Sequence, residues 1–179
     1  MSPFFSVIIP TFNQDNFLKQ ALNCLRNQTF NDFETIIIDN HSNDKTQSIC
    51  ESFELRKIYK KIQNEGIIAK SRNLGIKVSR GKWLAFLDTD DLWTNNKLEK
   101  VHAEIKNKTF DVFCNSEWII NEDSNLKKIW NYGFYSNTKF YEKMLVYGNC
   151  LSTSASVVRK EFLTKEKILF NEEKKFVTS

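Results

Sequence analysis

Five short apolar runs alternate with longer segments of helical periodicity over the first two thirds of the chain. Each run holds five or six residues, the ordinary length of a strand, and most are bounded by Pro, Gly, Asn or Asp. Strands that alternate with helices are typical of a mostly parallel sheet flanked by helices, so we predict an α/β fold. The predicted strands are Phe5–Pro10, Glu34–Asp39, Lys57–Ile62, Trp83–Leu87 and Phe110–Cys114.

After Asn115 the alternation changes to a mixed pattern. We therefore expect a single domain over residues 1–179, with a larger half at about 5–115 and a smaller half at 116–179. Helices are predicted from Asp15 or Asn16, over Thr46–Leu55 and Glu65–Ser79, from Thr94, and over Lys139–Tyr147 and Lys160–Lys165. Further strands are predicted over Glu117–Ile120, Leu126–Asn131 and Leu151–Val158.

Charge and cysteine content argue against several classes of protein. The net charge of +4, from 26 basic and 22 acidic residues, is too mild to indicate nucleic-acid binding. It suits an anionic ligand or a transient contact with an anionic membrane surface. The four Cys residues form no C-x-x-C pair, which disfavours a zinc site or a disulfide framework.

The N-terminal residues and the lengths of the apolar stretches predict the cellular location of the protein. The first residues lack the basic region and cleavage site of a signal peptide. No apolar stretch approaches the ~20 residues that span a bilayer. We therefore expect a cytoplasmic protein that can visit the inner face of the membrane.

Three carboxylates follow the predicted strand Trp83–Leu87 within four positions. Asp88 and Asp90 stand where a strand of an open α/β sheet ends, and ligands of such sheets bind at these ends. The two could hold a hard divalent cation through oxygen, and that cation could hold a diphosphate. A solvated acidic loop is the alternative, and the residues alone leave both interpretations open. For Asp91 and Thr94 we expect capping of the next helix.

The usual glycine-rich phosphate loops are missing from the sequence. It contains neither G-x-G-x-x-G nor G-x-x-x-x-G-K-[ST], and the first strand leads into Thr11-Phe12-Asn13-Gln14 without a glycine. Acids stand at the strand ends instead, at Asp39, Asp88 and Asp90. A carboxylate can accept from a ribose hydroxyl or a uracil N–H, or hold the metal that contacts phosphate. These positions therefore fit a phosphate-bearing substrate that is held through a cation.

Several stretches of the chain resemble family 2 glycosyltransferases, in the same order along the sequence. The match extends from about Ser6 to Trp93 and continues more weakly beyond. Any one stretch is weak evidence, whereas their order makes the resemblance specific. The matching stretches are Ser6–Asn13, Leu25–Glu34, Ile37–Thr46, Asn64–Gly66, Ala69–Ile76 and Phe86–Asp91.

The resemblance implies a GT-A fold and a donor-binding larger half. It also implies transfer of a sugar from a nucleotide-diphosphate donor, expected to be a UDP-sugar, with Mg²⁺ or Mn²⁺ and inversion. The acceptor is expected to be a cell-surface glycan or a lipid-linked acceptor. By position, Pro10, Thr11 and Phe12 border the nucleobase, Asp39 accepts from the uracil or ribose, Arg72 contacts the nucleotide, Asp88 faces the ribose and metal, and Asp90 binds the metal.

Two departures from the family pattern leave alternatives open. The family usually carries Asp-Asp-Gly-Ser where this chain has Asp39-Asn40-His41-Ser42, so base recognition at Asn40 differs. The family's catalytic base lies in a Glu-Asp pair, which the resemblance places beyond Ser179 rather than at Glu172 or Glu173. A truncated glycosyltransferase is the leading hypothesis. The alternatives are a non-catalytic nucleotide-sugar-binding fragment or pseudoenzyme and, more weakly, a nucleotidyltransferase.

Overall fold

A six-stranded mixed sheet forms the centre of the computed structural model, which describes residues 2–120, 127–130, 142, 144, 146 and 151–173. The strand order in this sheet is β3-β2-β1-β4-β8-β5, and β6 and β7 form a separate antiparallel pair. The predicted α/β class is confirmed. The strands are β1 Phe5–Thr11, β2 Phe33–Asp39, β3 Lys57–Lys61, β4 Trp83–Phe86, β5 Val112–Cys114, β6 Glu117–Ile120, β7 Lys127–Trp130 and β8 Ser156–Arg159.

The helices are α1 Asp15–Arg26, α2 Thr46–Ser52, α3 Ile68–Val78, α4 Lys97–Ile105 and α5 Lys160–Lys165. The prediction that α3 begins at Glu65 was wrong. Glu65 and Gly66 both have positive φ, at 57° and 77°, so they form a turn that an α-helix cannot contain. The predicted capping by Asp91 or Thr94 was also wrong, because α4 begins at Lys97 after Asn96, which makes no side-chain capping bond.

The core lies on both faces of the sheet, which explains why its central strands are continuously apolar. The seven residues of β1 and the seven of β2 are all buried. Val7 and Ile9 pack in a large cluster with Leu18, Leu22 and Leu98 of α1 and α4. Alternate strand residues such as Ile8 pack on the other face with Ile76 of α3. β3 is the edge strand next to β2, and its polar composition suits that position.

The strand β8 lies between β4 and β5 and runs antiparallel to both. The sequence predicted a strand in this region but not its place in the sheet. Its insertion makes the sheet mixed rather than wholly parallel. The predicted loop at 121–125 and nearly all of the predicted helix Lys139–Tyr147 lie outside the described residues. Within the part of the chain that the structure describes, no helix is both long enough and apolar enough to cross a membrane.

Candidate active site

A cleft of about 380 Å³ opens at the carboxyl ends of β1, β2 and β4. These three strands are parallel neighbours, so their ends meet at one edge of the sheet, where ligands of open α/β folds bind. The start of α3 and the loop before it close the opposite wall. The lining residues are Pro10, Thr11, Phe12, Gln14, Asn40, Asn64, Gly66, Ile68, Ser71, Asp88, Thr89 and Asp90.

The end of β1 contributes one apolar and one polar group to the cleft. The Phe12 side chain is largely exposed, although it is a large aromatic ring. Thr11 is only 5% exposed, and its hydroxyl has no hydrogen-bond partner. Gln14 and Thr89 join the two sides of this end of the cleft through a hydrogen bond between their side chains. The structure therefore brings Pro10, Thr11 and Phe12 together on one wall of the cleft.

Asp39, the last residue of β2, is fully buried and does not line the cleft. Its Oδ1 accepts from the backbone N–H of Ser42 at 2.9 Å and from the Ser42 hydroxyl at 2.5 Å. Its Oδ2 accepts from the Tyr59 hydroxyl at 2.5 Å. The pKa of Tyr59 is raised above its ordinary value, mainly by burial and next by the hydrogen bond to Asp39. The carboxylate thus holds the loop after β2 in place.

Asn40 follows Asp39 and does line the cleft. Its Oδ1 accepts from the backbone N–H of Asn64 at 2.8 Å. The Asn64 side chain accepts in turn from the backbone N–H of Gly66 and donates to the Ser71 hydroxyl, both at 2.9 Å. This connected set of hydrogen bonds preorganises the wall between β2 and α3. Sequence reasoning did not identify Asn64 or Ser71 individually, although both lie within the matching stretches.

Arg72 of α3 and Asp88 after β4 form an ion pair at the other end of the cleft. A guanidinium nitrogen donates to the two Asp88 oxygens at 2.8 and 2.9 Å. The Phe170 ring lies against the guanidinium, with its centroid 5.4 Å from the Arg72 Cζ. Arg72 Nε is buried without a hydrogen-bond partner. The resemblance assigned both residues to the site but gave no indication that they contact each other.

Asp90 and Asp91 lie in different surroundings despite their adjacency. Asp90 is exposed and lines the cleft. Asp91 is half-buried, and its carboxylate forms a hydrogen bond with the Ser154 side chain. Burial raises the pKa of the Asp91 carboxyl, and the nearby charges of Asp90 and Asp88 add to that effect. Asp90 is therefore the more accessible carboxylate of the two.

Asp88 and Asp90 can be compared with the ligands that a divalent cation requires. Mg²⁺ and Mn²⁺ take oxygen ligands, and Mg²⁺ keeps several waters while binding through one or two carboxylates plus substrate phosphates. Asp88 and Asp90 line the same cleft and fit this mode. Among the residues that the structure describes, no group of three His, Cys, Asp or Glu side chains could hold a metal by itself. Asp88 and Asp90 therefore suit a cation that also binds the phosphates of a substrate.

Ser154 and Lys97 support this edge of the sheet, and sequence reasoning missed both. The Ser154 hydroxyl accepts from the backbone N–H of Asp88 at 3.0 Å. The Ser154 backbone carbonyl accepts from the Trp93 indole N–H, also at 3.0 Å. Lys97 is buried, donates to Asn115 and lies over the Trp93 ring. Burial lowers the pKa of Lys97 to about 8. The small hydroxyl residues of the predicted strand Leu151–Val158 were the available signal for Ser154.

The chain after α5 packs against α3 through Asn73. The Asn73 side chain accepts from the Phe170 backbone N–H and donates to the Phe170 carbonyl, both at 2.9 Å. It also donates to the Glu172 carboxylate at 2.7 Å. The predicted position of the catalytic base, beyond Ser179, is not tested by these contacts.

Comparisons with known proteins show which family this sequence is similar to. The sequence model of the family described as "Glycosyl transferase family 2" matches residues 6–163. "Glycosyltransferase GlyG" of Streptococcus pneumoniae is 25% identical over 96% of this chain and 60% of its own length. "Minor teichoic acid biosynthesis protein GgaA" of Bacillus subtilis is 36% identical over 64% of this chain and 26% of its own length.

A solved structure extends the similarity to three dimensions. Residues 1–349 of TarS from S. aureus, crystallised with UDP, superpose with a TM-score of 0.77 at 27% identity. The match covers 99% of this chain and 52% of that one. The chain thus spans about half of the TarS fragment and 60% or less of the two curated relatives named above.

Proposed function

Since the chain belongs to glycosyl transferase family 2, we propose that it takes part in sugar transfer from a UDP-sugar to a glycan or lipid-linked acceptor, with Mg²⁺ or Mn²⁺ and inversion. The cleft at the carboxyl ends of β1, β2 and β4 carries this proposal, because Thr11, Asn40, Asp88 and Asp90 converge there. TarS, whose fold this chain shares, binds UDP in its crystal structure. We assign the UDP part of the donor to the same cleft.

Positions in and beside the cleft support a proposed role for each residue. Pro10, Thr11 and Phe12 border the nucleobase at the end of β1. Asp90 and Asp88 hold the cation, and Arg72 holds Asp88 in its orientation through the ion pair. The cation, when bound, offsets negative charge on the departing nucleoside diphosphate as a Lewis acid. A direct contact between Arg72 and the nucleotide remains a prediction.

Asp39 belongs to the nucleoside end of the proposed site. Its carboxylate is enclosed by Ser42 and Tyr59, so the geometry favours an action through the loop that it holds. Direct contact of Asp39 with uracil or ribose remains a prediction. Inversion also requires a carboxylate that deprotonates the acceptor hydroxyl. We keep the proposal that this base lies beyond Ser179.

The acceptor is proposed from chemistry and from one relative. GgaA is named for minor teichoic acid biosynthesis, which supports a cell-surface polymer as the acceptor class. The antiparallel strands β6 and β7 expose Trp118, Ile120 and Ile129, and this supports a peripheral contact with a membrane surface. Co-sedimentation with anionic vesicles tests that contact, and loss of co-sedimentation on Trp118→Ser would support it.

Calorimetry with UDP tests the proposed donor site. We expect UDP to bind in the presence of Mn²⁺ and to bind more weakly when EDTA replaces the metal. Asp90→Ala should remove the metal-dependent part of the affinity. Glu104→Ala is the matched control, because it removes an exposed carboxylate on α4 that does not line the cleft. Failure of the wild-type chain to bind any nucleoside diphosphate, with or without Mn²⁺, would overturn the proposal.

A further inference from the structure

We infer that Phe170 is a positioning residue for the metal end of the cleft. Its ring fixes the Arg72 guanidinium, and the guanidinium in turn fixes the Asp88 carboxylate. The inference rests on the proposed function, because it explains how a proposed metal ligand is kept in place. Phe170 does not line the cleft and lies in the segment 168–172, which follows α5.

The Phe170 ring contacts both of the elements that the Arg72–Asp88 ion pair joins. Its centroid lies 5.4 Å from the Arg72 Cζ on α3. It also lies 5.3 Å from the centroid of the Phe86 ring, at an interplanar angle of 80°. Phe86 ends β4 two residues before Asp88. The ring therefore packs against α3 and against the end of β4 at the same time.

Two contacts in the described part of the chain orient the Arg72 guanidinium. The first is the ion pair, in which both hydrogen bonds to Asp88 come from one terminal nitrogen. The second is the Phe170 ring, whose face attracts a cation. The Arg72 Nε makes no hydrogen bond, and the side chain is only 12% exposed. Loss of the ring would therefore leave the guanidinium freer to take other orientations.

The Asn73 side chain holds the Phe170 backbone beside Arg72. Its Oδ1 accepts from the Phe170 N–H and its Nδ2 donates to the Phe170 carbonyl, both at 2.9 Å. The same nitrogen donates to the Glu172 carboxylate at 2.7 Å, which uses its second hydrogen. The neighbouring Leu169 side chain is exposed. The Asn73 amide and the Phe170 ring thus anchor this part of the segment.

A carboxylate binds a metal best when other groups fix its orientation. Carboxylates that ligate metals are usually hydrogen-bonded themselves, and loss of that outer partner typically lowers metal affinity by about 10–100-fold. Arg72 is such a partner for Asp88, and Phe170 acts one contact further from the metal. Loss of the Phe170 ring should therefore weaken metal-dependent binding by a smaller factor.

Phe170→Leu removes the aromatic face and keeps an apolar side chain. By calorimetry, we expect UDP with Mn²⁺ to bind about fivefold more weakly to this variant, whereas its affinity in EDTA should change less than about twofold. Phe170→Tyr keeps the ring and should restore the affinity measured with Mn²⁺. A merely structural role would lower the free energy of unfolding but leave the ratio of the two affinities unchanged. An unchanged ratio in Phe170→Leu would overturn the inference.

Phe110→Leu is the matched control. Phe110 is also partly buried, and its ring centroid lies 6.0 Å from the Lys108 ammonium, but it does not line the cleft. The substitution therefore removes a ring that contacts a cation elsewhere in the fold. We expect both affinities for UDP to stay at the wild-type values. A loss of Mn²⁺-dependent binding equal to that of Phe170→Leu would show that any loosened core has this effect, and the inference would fail.

The Arg72→Ala background tests the route through the guanidinium. Once Arg72 is absent the ring has no cation to hold, so adding Phe170→Leu should weaken UDP binding by less than about twofold more. A further loss as large as that seen in the wild-type background would contradict the inference.

Hydrogen exchange of the wild-type chain tests the same coupling without a substitution. Coupling between two sites is reciprocal, so Mn²⁺ and UDP together should slow the exchange of the peptide that contains Phe170. Equal exchange with and without them would overturn the inference even if Phe170→Leu does not fold. If the wild-type chain binds no UDP, the proposed function itself fails. If it binds UDP with Mn²⁺ and Phe170→Leu binds equally well, the inference alone fails.

Discussion

A single guanidinium nitrogen of Arg72 donates to both carboxylate oxygens of Asp88, at 2.8 and 2.9 Å. The pair joins α3 to the loop after β4, and both side chains are largely shielded from solvent. The Phe170 ring lies against the guanidinium. The ion pair orients Asp88, which is the proposed ligand of the metal and the ribose. The resemblance had instead implied that Arg72 contacts the nucleotide directly.

A double-mutant cycle on this pair separates positioning from direct contact. We expect Arg72→Ala and Asp88→Asn each to weaken Mn²⁺-dependent UDP binding. We also expect the double variant to be little weaker than either single one, with a coupling of about 1–2 kcal/mol. Calorimetry of the four proteins gives this value. Additive losses would mean that Arg72 contacts the nucleotide independently of Asp88.

The exposed pair of Lys70 and Glu65 is the control for that cycle. Lys70 lies in the first turn of α3 and Glu65 in the turn before it; their side chains are joined at 2.9 Å but are more accessible to solvent than those of Arg72 and Asp88. Exposed ion pairs contribute little, so the same cycle should give a coupling of about 0.5 kcal/mol or less.

Glu34 should be a strong determinant of stability. Its buried carboxylate accepts from the Ser6 hydroxyl at 2.7 Å and from the backbone and guanidinium nitrogens of Arg80 at 2.6–2.9 Å. Removal of one charged partner from such a group leaves donors unpaired, so Glu34→Gln should lower the free energy of unfolding by about 2 kcal/mol. Urea denaturation measures the change. Glu54→Gln, on an exposed side chain, should stay within about 0.5 kcal/mol of the wild type.

The same carboxylate gives a pH dependence with a defined sign. Burial by itself raises the pKa of Glu34, but the hydrogen bonds from Ser6 and Arg80 outweigh it, and the net pKa lies below the ordinary 4.5. Its stabilising contribution is therefore complete above about pH 4.5 and is lost as the pH falls through the folded-state pKa. The stability difference between wild type and Glu34→Gln should shrink in acid. A difference that grows below pH 4.5 would contradict this assignment.

Gly81 and Gly66 should respond differently to alanine. A Cβ at Gly81 would lie 2.5 Å from the Ser6 backbone nitrogen and 2.6 Å from the Phe5 carbonyl carbon, so β1 would have to shift. We expect Gly81→Ala to cost about 2–3 kcal/mol. Gly66 has open space around it but a φ of +77°, so Gly66→Ala should cost only about 1 kcal/mol. Urea denaturation of both variants tests this order, and the reverse order would refute it.

Asn73 should control the exchange of the Phe170 amide with solvent. That N–H donates to the Asn73 Oδ1 at 2.9 Å, so Asn73→Ala removes its acceptor. We expect faster hydrogen exchange at Phe170, read by mass spectrometry of the peptide that contains it. Asn171→Ala is the control, because its exposed side chain accepts from the backbone N–H of Glu173 at 2.9 Å rather than from that of Phe170. Equal exchange in the two variants would show that Asn73 does not hold the segment.

Local pattern was sufficient to predict the fold class and most of the strands. The apolar runs from Phe5, Glu34 and Trp83 became β1, β2 and β4 with ends shifted by one residue at most, because burial on both faces leaves an unmistakable composition. The short helix Lys160–Lys165 was predicted at its exact bounds. Acids at strand ends also indicated which edge of the sheet carries the cleft.

Tertiary structure alone decided which of these residues face the cleft. Asp39 and Asn40 are adjacent, and the bend after β2 buries one and presents the other, so composition could not choose between them. The insertion of β8 between β4 and β5 depends on pairing between strands about seventy residues apart, which leaves no local signal. Ser154 reaches Asp88 only through that insertion. The sequence by itself determined the elements and the chemistry at their ends, whereas long-range packing determined which side chains meet.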